Sequence, residues 1–335
     1  EDETSKDLER LGCRVVTIRI QSKGKNVFFD LWIWLQYLQV FLKDKPSFYF
    51  GFTVKPVVYG SLAAQLVGIA TIGTITGLGT AFIRPSWVTR VVKILYKVAN
   101  KKMTRIFFQN QSDLNLFIDH NLVAPEKTAM VPGSGVNLER FVMKSMVEGR
   151  SLDAPIFLFV GRMLGDKGVQ EFVDSAVIVR KTYPAAKFQM LGPTEIDNET
   201  AISLRKINKW VAEGVVEYLG VTSDVVPFIE NADCVVLPSY REGIPRTLME
   251  GAAMGRPLLA ASSIGCVDVV DDKVTGFLFR PQDADDLAAK MIEFIRLPTG
   301  RRLQMGRAGR KKMEQEFDEK IVIDRYLSAV IENHN

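Results

Sequence analysis

Two loops in the second half of the chain carry charged residues where they could do chemistry. The first is Gly161-Arg162-Met163-Leu164-Gly165-Asp166-Lys167-Gly168, which follows an apolar run of strand length. Two cations and three glycines ahead of a helix suit a phosphate group. Arg supplies a bidentate fork, Lys a mobile point charge, and the helix start its free N–H groups. Taken alone, the loop could also be a solvated turn with two surface charges.

The second loop follows the apolar run 234–237 and leads into a helix that we predict to begin at Pro245, a favoured first-turn residue. Glu242 then lies in the loop and Glu250 one to two turns into the helix, so both can face one crevice. Carboxylates accept hydrogen bonds from sugar or ribose hydroxyls, and the helix start suits a diphosphate. The alternative makes Glu242 an ordinary helix-start charge and Glu250 a surface residue.

The elements that must position these loops form a repeated pattern of apolar, strand-length runs and helical segments. Ten strands are predicted, at 14–20, 48–52, 71–75, 105–109, 128–131, 156–160, 187–191, 215–218, 234–237 and 257–260. This βαβ rhythm, which restarts at 156, predicts two doubly wound, mostly parallel sheets. Ligands of such sheets bind at the carboxyl ends of the strands, where both loops lie. The turn residues Pro132-Gly133-Ser134-Gly135 and the polar stretch to Pro155 predict a connection, and 283–335 is helical in pattern.

Size and composition limit the possible functions. A chain of 335 residues predicts two domains. Its formal net charge of +4 is too small to indicate a nucleic-acid partner but allows an anionic ligand or membrane surface. Three scattered cysteines predict a reduced, intracellular setting, and two histidines disfavour a metal site or a Ser-His-Asp triad. The opening Glu-Asp-Glu-Thr-Ser does not resemble a signal peptide.

One uncharged segment, from Pro56 to Ile83, is long enough to span a bilayer. Its glycines favour a buried helix at 56–68 followed by a buried strand. The N-terminal half also carries aromatic and basic residues on helical patterns, which could rest on an anionic membrane or simply pack on the sheet. They are Trp32, Trp34, Tyr37, Phe41, Trp87, Arg90, Lys93, Lys97, Lys101, Lys102 and Arg105.

Glu242 and Glu250 are separated by seven residues, and with Gly161-Arg162 and Lys167-Gly168 they resemble the E-x7-E and G-R…K-G signatures of family 4 retaining glycosyltransferases. Further motifs follow that family in order, and together they cover nearly the whole chain. These are Thr53-Val54-Lys55-Pro56, Thr74-Ile75-Thr76-Gly77, Phe108-Gln109-Asn110, Val131-Pro132-Gly133-Ser134-Gly135, Leu219-Gly220-Val221, Gly255-Arg256-Pro257 and Thr275-Gly276-Phe277.

The resemblance implies the GT-B fold, in which two Rossmann-like α/β domains with doubly wound parallel sheets face a cleft. The expected bounds are 1–140 for an acceptor-side domain, 141–317 for a nucleotide-sugar domain and 318–335 for a C-terminal helix that crosses back. Such enzymes usually begin with a strand and a Gly-rich loop, whereas this chain is expected to begin in the following helix. Many relatives have His where Thr76 stands, so no role of that His carries over.

The matched positions imply roles for individual residues. Arg162 and Lys167 would neutralise the diphosphate, and Glu242 would hold the donor sugar, so these three form the expected catalytic set. The expected donor-binding residues are Gly161, Val221, Gly243, Ile244, Pro245, Arg246 and Glu250, with Glu250 on the ribose. The expected acceptor-side residues are Lys55, Thr76 and Gly77. No metal and no cofactor are expected, since the nucleotide sugar is a substrate.

The implied function is transfer of a hexose or N-acetylhexosamine, with retention, from a nucleotide diphosphate sugar such as a UDP-sugar to a lipid-linked glycan acceptor. Such a chain would act in cell-surface polysaccharide or glycoprotein biosynthesis, in the cytoplasm or on the inner face of the membrane. The alternatives are a GT-B-fold nucleotide-sugar 2-epimerase and a nucleotide-sugar-binding fragment without turnover. NAD-dependent oxidoreduction is disfavoured because no G-x-G-x-x-G follows an opening strand.

Overall fold

The computed structural model describes residues 3–20, 27–78, 87–144, 154–194 and 196–332. They fall into two compact units. The first comprises the described residues up to 75 together with 87–107 and 117–129, and the second comprises 76–78, 108–116 and 130–332. The end of the uncharged segment at 79–83, part of the connecting stretch at 145–153 and the side chain of Trp87 lie outside the described residues.

The first sheet has four strands in the order β1-β2-β3-β4. Its elements are α1 (Glu3–Arg10), α2 (Val27–Asp44), β1 (Phe48–Phe52), a π-helical turn (Pro56–Gly60), α3 (Ser61–Leu66), β2 (Ala70–Ile75), α4 (Trp87–Lys101), β3 (Arg105–Phe108), α5 (Gln111–Asp119) and β4 (Thr128–Met130). β1 and β2 are parallel, with Phe50 opposite Ile72. The predicted buried helix and strand within 56–75 are therefore confirmed.

One predicted strand is wrong. Residues 14–20 have no regular secondary structure, although the run is apolar enough for a strand. Val16 and Ile20 are exposed, and among the described residues the first sheet ends at β1. A strand needs a neighbour to satisfy its backbone N–H and C=O groups, and this segment has no ladder in the described part of the chain.

The second sheet has six strands in the order β10-β9-β8-β5-β6-β7, and every neighbouring pair is parallel. The strands are β5 (Ile156–Val160), β6 (Lys187–Leu191), β7 (Glu217–Tyr218), β8 (Cys234–Leu237), β9 (Leu258–Ala261) and β10 (Gly276–Phe279). The helices are α6 (Val169–Arg180), α7 (Leu204–Ala212), α8 (Val226–Asn231), α9 (Arg246–Ala253), α10 (Cys266–Val269), α11 (Ala284–Arg296), α12 (Thr299–Lys312) and α13 (Glu319–Ile331). The predicted parallel α/β architecture is confirmed, and β10 is a strand that the sequence pattern did not indicate.

An aromatic cluster holds the helices on this second sheet. The rings of Phe157 and Phe188 stack on adjacent strands with centroids 5.4 Å apart, while Phe172 and Phe294 meet them from α6 and α11. All four side chains are buried, so each removes a large apolar surface from water. This core gives the strand ends, and hence the loops that follow them, a rigid base.

Candidate functional site

The two charged loops meet because β5 and β8 are neighbours in the second sheet. Phe157 lies opposite Cys234 and Leu158 opposite Val235, so both strands end at the same edge. The loop after β5 carries residues 161–168 and the loop after β8 carries residues 238–245. The Tyr240 N–H donates to the Asp166 carbonyl at 3.0 Å, and the Ser239 hydroxyl donates to the same oxygen at 3.3 Å. The sequence alone did not show that the loops are joined in this way.

The Lys167 ammonium forms an ion pair with a Glu242 carboxylate oxygen. Their side chains are 19% and 13% exposed, so the pair is shielded from bulk water yet open to a ligand. The structure thus brings together the cation predicted to bind phosphate and the carboxylate predicted to bind the sugar. Each neutralises the other when no ligand is bound. Arg162 lies exposed on the same loop and forms no ion pair within the described residues.

Gly168 sets the position of Lys167. Its φ of +74° is in the left-handed region, and it is the N-cap of α6. A Cβ at this position would collide with the Pro238 carbonyl of the neighbouring loop. Only glycine allows the two loops to approach this closely.

We expect Gly168→Ala to lower the free energy of unfolding by about 3 kcal/mol, because backbone strain and a steric clash add together. Urea unfolding followed by circular dichroism measures this change. Gly300→Ala is the matched control, since its Cβ would meet nothing within 4 Å. A Gly168→Ala variant as stable as the Gly300→Ala variant would contradict the assignment.

The segment after Glu242 is packed closely against other backbone. A Cβ on Gly243 would collide with the Thr76 carbonyl, and Gly77 has a φ of +119° with its own Cβ position 3.2 Å from the Gly243 nitrogen. Two predicted acceptor-side residues, Thr76 and Gly77, therefore lie beside the Glu242 loop. The third, Lys55, belongs to the first unit, where its ammonium pairs with Asp30 at 2.9 Å.

Helix α9 begins at Arg246, one residue after the predicted start, with Pro245 as its N-cap and no side-chain cap. Ile244 and Pro245 are buried, which fixes the entry of the chain into the helix. Arg246 donates to Glu250 Oε1 at 3.2 Å. Glu250 is 8% exposed, so the alternative that it is a surface residue is wrong. Val221 is 67% exposed in the loop after β7 and is not a core residue.

Burial raises the pKa of Glu250, and the charges of Arg246 and Arg140 lower it in part. A carboxyl group with a raised folded-state pKa stabilises the protein below its ordinary value of 4.5. That contribution is lost as the pH rises through the folded-state value, because the native state must then hold a buried charge.

Glu250→Gln should therefore unfold at a higher temperature than the parent chain at pH 8, with a gain on the order of 1 kcal/mol. At pH 4 the difference should nearly vanish. Calorimetric scans from pH 4 to pH 8 test this, and a difference that does not depend on pH would refute it. Asp113, whose pKa burial also raises, is unchanged in both proteins and cancels in the comparison.

Sequence reasoning assigned no role to three residues of this region. The Arg241 guanidinium pairs with the carboxylate of Asp113, which is fully buried, and Asn110 Nδ2 donates to the Gly243 carbonyl at 3.3 Å. The Asn-x-x-Asp spacing is a helix-start signal that could have drawn attention to Asn110 and Asp113. Nothing in the linear order links that signal to Arg241.

Two further observations concern groups that the site might hold. No group of three or more His, Cys, Asp or Glu side chains that could bind a metal ion occurs among the described residues. Cys266, behind the Glu242 loop, is fully buried and burial raises the pKa of its thiol to about 12. That cysteine is therefore a protonated, packed thiol and not a nucleophile.

Two family models together match most of the chain. The family described as "Glycosyl transferase 4-like" matches residues 1–110, and the family described as "Glycosyl transferases group 1" matches residues 154–296. The second match includes both charged loops.

Curated relatives are similar over almost the full chain. A Campylobacter jejuni protein named N,N'-diacetylbacillosaminyl-diphospho-undecaprenol alpha-1,3-N-acetylgalactosaminyltransferase is 28% identical, with 98% of this chain and 88% of the relative covered. The Staphylococcus aureus capsular polysaccharide biosynthesis glycosyltransferase CapM is 25% identical, with 95% and 85% covered. Among solved structures, Anabaena HepE in complex with UDP-glucose superposes with a TM-score of 0.78 at 17% identity, covering 99% of this chain and 90% of that one. That similarity shows that the fold is shared.

Proposed function

This chain belongs to the family 4-like glycosyltransferases of the GT-B fold, and from that premise we propose that it transfers a hexose or N-acetylhexosamine from a UDP-sugar, with retention, to a lipid-linked glycan. The observation that carries the proposal is the Lys167–Glu242 pair at the strand edge, with Glu250 one turn into the adjoining helix. These residues supply a cation for a diphosphate and carboxylates for hydroxyl groups.

In the proposed reaction an acceptor hydroxyl oxygen bonds to the anomeric carbon while the bond from that carbon to the diphosphate breaks. The electron pair leaves with the diphosphate, and the hydroxyl proton is released. Lys167 and Arg162 stabilise the charge that grows on the leaving group, which makes a metal ion unnecessary. Glu242 orients the donor sugar, Glu250 the ribose, and the uncapped start of α9 faces the diphosphate.

The names of the relatives support the acceptor class. The Campylobacter protein is named for a sugar linked through diphosphate to undecaprenol, and the Staphylococcus protein for capsular polysaccharide biosynthesis. We propose the same class here, a sugar-diphosphate-polyprenol that meets the enzyme at a membrane surface. No helix among the described residues has both the length and the apolar character needed to cross a bilayer.

Helix α4 supplies a surface suited to peripheral contact. Val91, Ile94 and Val98 lie on one helical face and are 44%, 63% and 53% exposed. Exposed Lys97 and Lys101 accompany them on the same helix. Apolar side chains flanked by cations suit an anionic lipid surface. By contrast, the prediction that Tyr37 and Phe41 belong to a membrane face is wrong, since both are buried and pack on Tyr49.

The test of function combines a panel of UDP-sugars with synthetic undecaprenyl-diphosphate-linked acceptors and detects products by mass spectrometry. NMR of the product gives the anomeric configuration, which should match that of the donor. Incubation with donor alone should leave the sugar at C2 unchanged, whereas a 2-epimerase would alter it. Absence of transfer with every pair, despite UDP binding, would favour a binding fragment.

The membrane contact is tested by sedimentation with vesicles that contain phosphatidylglycerol. Ile94→Glu should reduce binding about tenfold, because it removes an exposed apolar side chain that would enter the lipid surface and adds a negative charge that the anionic lipid repels. Val211→Glu is the control, since Val211 is 40% exposed on α7 of the second unit. Equal losses in the two variants would show that α4 is not the contact surface.

A further inference from the structure

Arg241 and Gly243, the residues on either side of Glu242, contact side chains at the start of helix α5. Asn110 is the residue before that helix, and its side-chain oxygen accepts from the Asp113 N–H at 2.8 Å. Its amide nitrogen lies 3.1 Å from Asp113 Oδ2, so the two side chains form one hydrogen-bonded unit. We call this unit the Asn110–Asp113 clamp. Its local role is that of a helix cap.

The clamp also contacts the Glu242 loop at two points. Arg241 forms an ion pair with Asp113 Oδ1, and Asn110 Nδ2 lies 3.3 Å from the Gly243 carbonyl. The residues immediately before and after Glu242 are therefore held by the same pair of side chains. Arg241 and Asp113 are 128 positions apart in the sequence. The backbone of Glu242 itself is held by its N–H, which donates to the Ile264 carbonyl at 2.9 Å.

Burial makes this arrangement sensitive to the position of the loop. Asp113 is fully buried, and its pKa is raised by burial, which the charge of Arg241 and the hydrogen bond from Asn110 oppose. If the loop moved away, a buried carboxylate would lose its partner, which is costly in a region shielded from water. The ion pair is satisfied only when Arg241, and hence Glu242, is in place.

We propose that Asn110 and Asp113 are positioning residues for the transfer reaction, acting on Glu242 through Arg241 and Gly243. The inference rests on the proposed role of Glu242. The clamp does not hold Lys167, which lies on the loop after β5, so loss of the clamp should affect the placement of the carboxylate more than nucleotide binding.

Asp113→Asn keeps the shape of the side chain and removes its charge. We expect kcat for transfer to fall about 30-fold, while KM for the donor rises less than about twofold and the affinity for UDP does not fall. Arg241→Gln should behave in the same way. The double variant should recover at least part of the loss, because the two amides can hydrogen bond and no charge remains unpaired. Asp271→Asn, which breaks the Lys312–Asp271 pair at 2.6 Å in the same unit, is the control and should not alter kcat.

Hydrogen–deuterium exchange separates this inference from the proposed function. The amides of residues 239–245 should exchange faster in Asp113→Asn than in the parent chain, whether or not an acceptor has been found. Unchanged exchange would overturn the clamp. Faster exchange with unchanged kcat would overturn the positioning role. A loss of kcat matched by an equal loss of UDP affinity and thermal stability would overturn it as well. If the parent chain transfers no sugar, the proposed function is refuted. The exchange measurement then still tests whether the clamp holds the Glu242 loop.

Discussion

Replacing Glu242 by Gln is expected to abolish transfer and, in the same variant, to tighten the binding of UDP. Transfer should fall at least about 100-fold, because the donor sugar loses a carboxylate that orients it. UDP should bind about fivefold more tightly, since Lys167 no longer has to exchange a carboxylate for the diphosphate. That factor corresponds to about 1 kcal/mol.

Transfer kinetics and titration calorimetry with UDP measure the two effects. Glu230→Gln is the matched control, because Glu230 also pairs with a lysine, Lys144 at 2.9 Å, in the same unit. It should change neither quantity. If Glu242→Gln weakened UDP binding, the carboxylate would be a structural support of the nucleotide site and not a competitor for Lys167.

Replacing Lys167 by Ala should have the opposite effect on binding. UDP affinity should fall about tenfold and transfer about 1000-fold, because the cation matters most when the diphosphate gains charge in the transition state. The variant should remain folded, since the Asp166 carbonyl still accepts from Tyr240 and Ser239. Calorimetry, transfer kinetics and a thermal scan together test this.

The double variant shows how the two residues are linked. If Glu242 hinders UDP only by occupying Lys167, adding Glu242→Gln to Lys167→Ala should change UDP affinity by less than about twofold. A tightening as large as in the single Glu242→Gln variant would show direct repulsion between the carboxylate and the diphosphate. A Lys167→Ala variant with normal UDP affinity would remove Lys167 from the donor site.

The buried parallel strands of the second unit were the most predictable part of the fold. The bounds of β5, β6 and β8 agree with the prediction. β5 and β8 were recognisable because a strand covered on both faces is a continuous apolar run between turn residues. The run at 14–20 is also largely apolar, with two arginines, but it has no ladder among the described residues, and β10 is only four residues long. Composition shows that a segment could be a strand, whereas pairing decides whether it is one.

Tyr37 and Phe41 illustrate the same limit within a helix. Their aromatic character and neighbouring cations suited a membrane surface, but α2 turns both rings onto Tyr49 of β1. Trp32, on the same helix, is 40% exposed. Which face of a helix is buried depends on the element that it packs against, and residue types alone did not determine this.

The local order of residues was enough to show which loops carry charge, because Lys167 and Glu242 follow strands and precede helices, while Glu250 lies one turn into the second of these helices. Local spacing controls caps, turns and the phase of a helix. The pairing of Lys167 with Glu242, and of Arg241 with Asp113, became visible only in the folded chain. The physical reason for the first pair is that strand order sets the contact: β5 and β8 are neighbours in space but far apart in the chain. The second pair joins the loop after β8 to the helix that follows β3 of the other sheet.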